Sequence, residues 1–168
     1  MKPKIGIIGF GVVGKAIERT FSKYYKVIKY DKFVEYDEFN KLENCEYVFI
    51  SVPTPFDYKL NKVDDSAIME SLENLENLNF NGIVIIKSTV PPGFCENFSS
   101  QFDLEIVFNP EFLRESTTPY EDFRDQDCIV IGTPHQSLFD SVSSIYKVFT
   151  VDNARFFHVT MTEAEMIK

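Results

Sequence analysis

Short apolar runs rich in β-branched residues alternate along the chain with longer segments in which apolar and polar residues mix. The short runs predict strands over Lys4–Ile8, Val27–Tyr30, Tyr47–Val52, Ile83–Lys87, Glu105–Phe108 and Cys128–Ile131. The longer segments predict helices over Val12–Tyr24, Val34–Leu42, Ser66–Leu78, Gly93–Gln101 and His135–Lys147. Strands that are apolar throughout are typical of a parallel sheet covered on both faces. The pattern therefore predicts an α/β fold, a doubly wound, mostly parallel sheet with helices on both faces.

Two segments near the end of the chain have a different character. Thr117–Gln126 is polar and irregular, and we interpret it as a loop over the sheet edge. The final segment HVTMTEAEMIK reads as a strand end followed by a new helix, because Thr160 and Glu163 have the spacing of a capping box. A length of 168 residues suits one domain, which we place at 1–159, with 160–168 beginning a further helix.

Glycines follow the first predicted strand in the pattern G-x-G-x-x-G, at Gly9, Gly11 and Gly14. The first makes a tight turn, the second lets a pyrophosphate approach the backbone, and the third lets the helix pack close to the strand. Asp31 ends the second predicted strand about twenty residues on, where a carboxylate can bind ribose hydroxyls and repel a 2′-phosphate. The order predicts a Rossmann-type domain that prefers NAD to NADP. The plainer alternative is a tight turn, with Asp31 capping the next element.

Charge and cysteine content exclude several classes of protein. The 26 acidic and 17 basic residues leave a formal charge of −9, which argues against a nucleic-acid-binding protein. The 3 cysteines are scattered without a C-x-x-C pair, so we expect reduced thiols in a cytoplasmic protein and no metal site. No apolar run is long enough to span a membrane, and glycines interrupt the only run that resembles a signal peptide.

Proline-containing loops follow several predicted strands. They are SVPTP (Ser51–Pro55), KSTVPPG (Lys87–Gly93) and NPEFLRES (Asn109–Ser116). Ligands of open α/β sheets bind beyond the carboxyl ends of the strands, so these hydroxyl and carboxylate groups are candidate site residues. The alternatives are that the prolines only end strands, and that Glu111, Arg114 and Glu115 form surface ion pairs.

The ordered motifs GFGVVG, VPTP, KSTVPPG, NPEFLRES and TEAEMIK resemble the N-terminal part of the UDP-glucose/GDP-mannose dehydrogenase family. The resemblance implies an NAD-binding domain at 1–159, and at 160–168 the start of the helix that leads to the family's central domain. Members of that family use NAD to oxidise the C6 alcohol of a nucleotide sugar to a carboxylate through a cysteine thioester. The resemblance also implies a homodimer, or a partner chain that carries the domains missing from this sequence.

The same resemblance assigns roles residue by residue. Cofactor-binding positions are Gly9, Phe10, Gly11, Val12, Val13, Gly14, Asp31, Lys32, Val52, Pro53, Thr54, Thr89 and Glu115. Substrate-binding positions are Glu111, Phe112, Leu113, Arg114 and Glu115. Glu111 matches an acid that assists thioester hydrolysis as a base, Thr89 lies near the catalytic water, and Lys168 steadies an oxyanion. The alternative for Lys168 is an ordinary helix lysine.

Departures from the family pattern limit this assignment. The family's nucleophilic cysteine motif lies beyond Lys168, and Cys45, Cys95 and Cys128 match no such motif, so we expect them to be buried apolar residues. Tyr36 stands where many relatives have a basic residue, and Cys128 replaces an arginine. We therefore expect the NAD-binding domain of a nucleotide-sugar 6-dehydrogenase, incomplete for catalysis by itself. The alternatives are a non-catalytic NAD-binding module, half of a split enzyme, or a 3-hydroxyacid-type dehydrogenase, against which NPEFLRES argues.

Overall fold

Strands and helices alternate along the chain in the computed structural model, which describes residues 2–168. The strands are β1 (Lys4–Ile8), β2 (Lys26–Tyr30), β3 (Tyr47–Ile50), β4 (Phe56–Asp57), β5 (Lys62–Val63), β6 (Ile83–Ile86), β7 (Glu105–Phe108), β8 (Cys128–Gly132) and β9 (Arg155–Val159). The helices are α1 (Val12–Phe21), α2 (Ser66–Asn77), α3 (Phe94–Ser99), α4 (Pro119–Arg124), α5 (Gln136–Tyr146) and α6 (Met161–Ile167), with a 3-10 helix over Phe39–Asn44.

The main sheet has 7 strands in the order β2-β1-β3-β6-β7-β8-β9. Every neighbouring pair is parallel except β7 and β8, which run antiparallel. The chain passes from β1 to β2 on one side and then returns to β3 on the other side of β1. The strand order thus reverses at β1, and such a switch point leaves a crevice at the carboxyl ends of the strands.

Apolar side chains cover both faces of the sheet. In β3, Phe49 faces the layer formed by α1, α4 and α5, while Val48 and Ile50 face the layer formed by α2, α3 and α6. This alternation follows from the two-residue period of a strand. The predicted α/β fold with helices on both faces is confirmed.

The helix predicted over Val34–Leu42 is wrong, since the only helical residues there begin a 3-10 helix at Phe39. Asp37 instead pairs with β2: its N–H donates to the Lys29 carbonyl (2.9 Å), and its carboxylate accepts from the Lys29 N–H (3.1 Å). Short acidic side chains that bond to backbone in this way compete with helix formation.

The loop predicted over Thr117–Gln126 is also wrong, because α4 occupies its centre. Pro119 stands at the start of the helix, where its missing N–H costs nothing. Tyr120 and Phe123 are buried, and α4 packs against α1. Two apolar residues in an otherwise polar segment were too weak a pattern to reveal this helix.

The C-terminal segment forms the predicted strand and helix. Thr160 and Glu163 make a capping box, in which the Glu163 N–H donates to Thr160 Oγ1 (3.2 Å) and the Thr160 N–H to Glu163 Oε2 (2.8 Å). Helix α6 packs against β8 so closely that a Cβ on Gly132 would lie 2.7 Å from the Ala164 Cβ. The domain boundary at residue 160 stays a prediction. Within residues 2–168, no helix is long and apolar enough to cross a membrane.

Candidate functional site

The turn between β1 and α1, residues 9–14, is the glycine loop. Gly9 has a φ of +88°, and a Cβ there would lie 2.6 Å from the Ser51 carbonyl oxygen. A Cβ on Gly14 would lie 2.2 Å from the carbonyl oxygen of Gly9. Around Gly11, by contrast, a Cβ would meet no atom within 4 Å. Glycine is therefore required at residues 9 and 14 by the fold, and at residue 11 it leaves open space above the backbone.

Helix α1 begins at this open space. Gly11 is its N-cap residue, and no side chain caps the helix or places an acid in its first turn. The first N–H groups of a helix lack carbonyl partners within it and carry the positive end of the helix dipole. The glycine loop is thus suited to hold a phosphate group against backbone N–H donors.

Asp31 ties the end of β2 to the glycine loop. Its Oδ2 accepts a hydrogen bond from the Phe10 N–H (2.8 Å), and its Oδ1 accepts one from the Phe33 N–H (2.9 Å). Tyr36 packs against Phe10 edge to face, with ring centroids 4.8 Å apart. Two backbone donors therefore orient this carboxylate, and each oxygen keeps a lone pair for a further donor.

A cavity of about 220 Å³, the outer cavity, opens between this carboxylate and α2. Its lining includes Gly9, Asp31, Lys32, Val52 and Pro53. Lys32 lies at its rim with its ammonium 2.7 Å from the Glu70 carboxylate.

A second cavity of about 320 Å³, the central cavity, lies on the other side of the glycine loop. Its lining is contributed by the glycine loop, the three proline loops and the C-terminal residue: Gly11, Val12, Val13, Ser51, Val52, Pro53, Thr54, Lys87, Ser88, Thr89, Glu111, Leu113, Glu115 and Lys168. Two hydroxyl bonds lock neighbouring loops together, Thr54 Oγ1 to the Thr89 carbonyl (2.7 Å) and Ser88 Oγ to the Val52 carbonyl (2.7 Å). The fold thus brings together residues that the sequence singled out at widely separated positions.

Glu111 lies at the floor of the central cavity and is 6% exposed. Its Oε1 accepts from the N–H groups of Phe112 (2.9 Å) and Leu113 (3.1 Å), and its Oε2 lies 2.9 Å from the Lys87 ammonium. The Lys168 ammonium donates to the backbone carbonyl of Glu111. Lys87 thus contacts the carboxylate of Glu111, and Lys168 contacts its backbone.

Other predicted site residues lie away from the central cavity. Phe112 is 47% exposed and lines a neighbouring hollow. Arg114 forms an ion pair with Asp122, with Nη2 2.7 Å from Oδ1. Hydrogen bonds from the side chain and backbone of Arg114 hold the pKa of Asp122 well below its ordinary value. Phe10 and Gly14 line neither cavity and instead shape the glycine loop. The surface ion pair that was the alternative for Arg114 is what the structure contains.

Sequence reasoning missed two buried charged residues. Lys87 was passed over although a lysine that ends an apolar strand was a usable signal. Glu165 accepts hydrogen bonds from the N–H groups of Gly93 (2.5 Å) and Cys95 (2.7 Å), so α6 caps the beginning of α3. Nothing in its local sequence pointed to that partner.

None of the three cysteines lines the central or the outer cavity. Cys45 and Cys95 are buried as expected, whereas Cys128 is only partly buried. Burial raises the pKa of the Cys45 thiol to about 11, and burial with the adjacent Glu165 carboxylate raises that of Cys95 further. Both thiols are therefore protonated at neutral pH and are poor nucleophiles. Residues 2–168 contain no cluster of His, Cys, Asp or Glu side chains that could hold a metal ion.

A mostly parallel sheet with a switch point at β1, a glycine loop and an acid directly after β2 define a Rossmann-type dinucleotide-binding domain. The chain belongs to the UDP-glucose/GDP-mannose dehydrogenase family, because the model of that family's NAD binding domain matches residues 16–150. The glycine loop and Lys168 lie outside the matched segment, so the assignment of these two elements rests on their geometry.

Bacterial enzymes named UDP-glucose 6-dehydrogenase are similar in sequence to this chain. UDP-glucose 6-dehydrogenase of Rickettsia felis is 33% identical over 135 residues, which are 77% of this chain and 30% of that protein. The enzyme of the same name from Campylobacter jejuni is 34% identical over 127 residues, 74% of this chain and 32% of that protein. The matched segment thus spans about 30% of the length of these relatives.

Solved structures share the fold. A UDP-glucose dehydrogenase from Pyrobaculum islandicum superposes with a TM-score of 0.85 at 21% identity, over 99% of this chain and 48% of that one. A GDP-mannose dehydrogenase from Pseudomonas aeruginosa gives 0.80 at 24% identity, over 98% of this chain and 48% of that one. At such identities the likeness concerns the fold alone.

Proposed function

We propose that this chain supplies the NAD site of a nucleotide-sugar 6-dehydrogenase that oxidises the C6 alcohol of UDP-glucose or a similar substrate. The observation that carries the proposal is the central cavity, where the glycine loop, Thr89, Glu111 and Lys168 line one space. The names of the relatives support the choice of substrate class. The free thiols and the family resemblance lead us to propose a cytoplasmic location and catalysis together with the family's remaining domains.

NAD would lie across the glycine loop. Its pyrophosphate would bind the N–H groups at the start of α1 above Gly11, where no side chain intervenes. The adenosine would enter the outer cavity, with its ribose hydroxyls donating to Asp31. The nicotinamide would then reach the central cavity beside Thr54 and Thr89. A nicotinamide bound there would supply the hydride acceptor for oxidation of the sugar carbon.

The residues at the floor of the central cavity would handle protons and charge. Glu111 presents a buried carboxylate that would take a proton from a water molecule near Thr89. Lys168 carries an ammonium at the same wall and would stabilise negative charge that develops on the sugar oxygen. Glu115 and Leu113 would border the reacting carbon from the same loop.

The second candidate function is an NAD-binding module that needs another chain for catalysis. The buried thiols of Cys45 and Cys95 favour it, since neither of them reaches the central cavity. Both candidates require the same NAD site and differ in the source of the nucleophile.

Amide chemical-shift mapping with NAD tests the site that both candidates share. We expect the N–H resonances of Gly11, Val12, Val13 and Asp31 to move in a saturable manner, while those of β9, on the far edge of the sheet, stay unchanged. Shifts that cluster elsewhere, or no saturable change, would contradict the proposed site.

A further inference from the structure

The ammonium of Lys87 is buried beneath the central cavity, at the end of β6. The side chain of Lys87 is 0% exposed, and its Nζ donates to Asn109 Oδ1 (3.0 Å) and lies 2.9 Å from Glu111 Oε2. Asn109 is itself held in place by the Tyr146 hydroxyl (2.5 Å), while its own amide donates to the Val130 carbonyl (2.7 Å). The ammonium is therefore held by two side chains of the loop that follows β7, and one of these is itself fixed by α5 and β8.

Burying an ammonium at this depth is unfavourable without a counter-charge. Burial lowers the pKa of Lys87, and the Glu111 carboxylate opposes that shift. A hydrophobic side chain of similar length would fill the same space without the desolvation penalty. Stability by itself thus does not account for a lysine at this position, and a role in the adjacent cavity does.

The contacts of Glu111 indicate what that role is. Oε1 is occupied by the N–H groups of Phe112 and Leu113, which belong to the same loop. Oε2 is buried and has no directed hydrogen-bond partner within residues 2–168, so the nearby Lys87 ammonium is its only counter-charge there. Without that ammonium the carboxylate would turn toward solvent and release the two N–H groups.

We propose that Lys87 is a positioning residue that holds the Glu111 carboxylate at the floor of the central cavity, with Oε1 on the loop backbone and Oε2 on the Lys87 ammonium. This inference rests on the proposed function in that Glu111 is taken to be the base. It adds a second charged residue to the site, one that acts on the base and does not touch the substrate.

Other charged or titratable groups also face Glu111. Lys168, which follows α6, donates to its backbone carbonyl, and Tyr146 on α5 shares Asn109 with Lys87. Glu115 lines the same cavity. Among these residues Lys87 is the one whose charge contacts the carboxylate itself.

Amide hydrogen exchange in Lys87→Met tests the inference, because methionine keeps the length of the side chain and removes its charge. We expect the N–H groups of Phe112 and Leu113 to exchange at least about tenfold faster than in the wild type, as bonds to a charged acceptor are lost. The amides of Ile85 and Ile86 report global opening, and a role in packing alone would speed up all four together. Lys41→Met is the matched control, since its ion pair with Asp37 is on the surface.

Two further variants make the test decisive. In the double variant Lys87→Met/Glu111→Gln, a neutral amide oxygen can accept the same N–H bonds without a counter-charge. The Phe112 and Leu113 amides should therefore exchange as slowly as in the wild type. In Glu111→Gln alone, Lys87 should lose its proton at a lower pH than in the wild type, as followed by the NMR shift of its side chain. Unchanged exchange in folded Lys87→Met overturns the inference, and so does a double variant that fails to fold. Failure of the wild type to bind NAD refutes the proposed function and leaves these readouts intact.

Discussion

The carboxylate of Asp31 accepts a 2.8 Å hydrogen bond from the N–H of Phe10, inside the glycine loop. The residue that follows β2 therefore bonds to the turn that follows β1. The same carboxylate faces the outer cavity. One side chain thus links the shape of the glycine loop to the cavity in which we propose that the ribose binds.

Replacing Asp31 with Asn should weaken selection of NAD over NADP. The amide oxygen can keep the bond to Phe10, so the fold should survive, but the charge that we propose binds ribose hydroxyls and repels a 2′-phosphate is lost. We expect NAD affinity to fall roughly tenfold and NADP affinity to fall less or to rise. Calorimetric titration with both nucleotides measures this, with the exposed Glu35→Gln as control. An unchanged ratio of the two affinities contradicts the role of Asp31.

Substitution of Gly11 by Val should abolish NAD binding and leave the fold intact. A Cβ at this residue meets no protein atom within 4 Å, so the side chain would occupy only the space that the pyrophosphate requires. We expect a melting temperature close to that of the wild type and no heat of NAD binding. A Gly11→Val protein that still binds NAD would show that the glycine loop has another task.

Gly14→Ala is the matched comparison and should behave in the opposite way. Its Cβ would lie 2.2 Å from the Gly9 carbonyl oxygen, so helix α1 would have to move. We expect the free energy of unfolding to fall by about 1–3 kcal/mol or more. A Gly14→Ala protein as stable as the wild type would mean that the close approach of α1 to β1 is not required.

The stability of the domain should decline above pH 9, partly because of Cys45. Burial raises the pKa of its thiol from 9.0 to about 11, so the folded state holds this proton more tightly than the unfolded state. The resulting stabilisation is complete below pH 9 and is lost as the pH rises through about 11. A pKa difference of about two units between the folded and unfolded states corresponds to about 2–3 kcal/mol in the free energy of unfolding.

Urea unfolding of Cys45→Ala between pH 8 and pH 11 checks this expectation. The variant should lose stability less steeply than the wild type across that range. Ile28→Val, a truncation in the same apolar cluster, should lower the free energy of unfolding by the same amount at every pH. Parallel curves for Cys45→Ala and the wild type would contradict a protonated, buried thiol.

The 168-residue chain alone should form no NADH from nucleotide sugars. A thioester route needs a thiolate beside the reacting carbon, and burial raises the pKa of both Cys45 and Cys95. The absorbance of NADH, followed with NAD and a panel of nucleotide sugars, tests this expectation with and without co-encoded partner chains. Steady turnover by the chain alone that is abolished in Cys95→Ala would make that residue the nucleophile.

The local pattern of residue types was sufficient to predict most of the strands and helices. The apolar runs of β1, β3 and β6 are buried on both faces, and the spacing of Gly9, Gly11 and Gly14 marks the turn at the start of α1. Such features are readable because strand period, helix start and turn conformation depend on neighbours in sequence. The capping box of α6 was predicted for the same reason.

Contacts between distant residues decided the rest. Residues 34–38 are not helical because Asp37 pairs with β2, and α4 exists because Tyr120 and Phe123 are buried in its packing against the rest of the domain. Glu111 could be named from its motif, but its pairing with a buried Lys87 depends on β6 and β7 lying side by side. The sequence by itself determined the fold class, the glycine loop and most of the candidate site. Only the tertiary structure decided which charges are buried together, because burial and ion pairing arise between residues that are far apart in the chain.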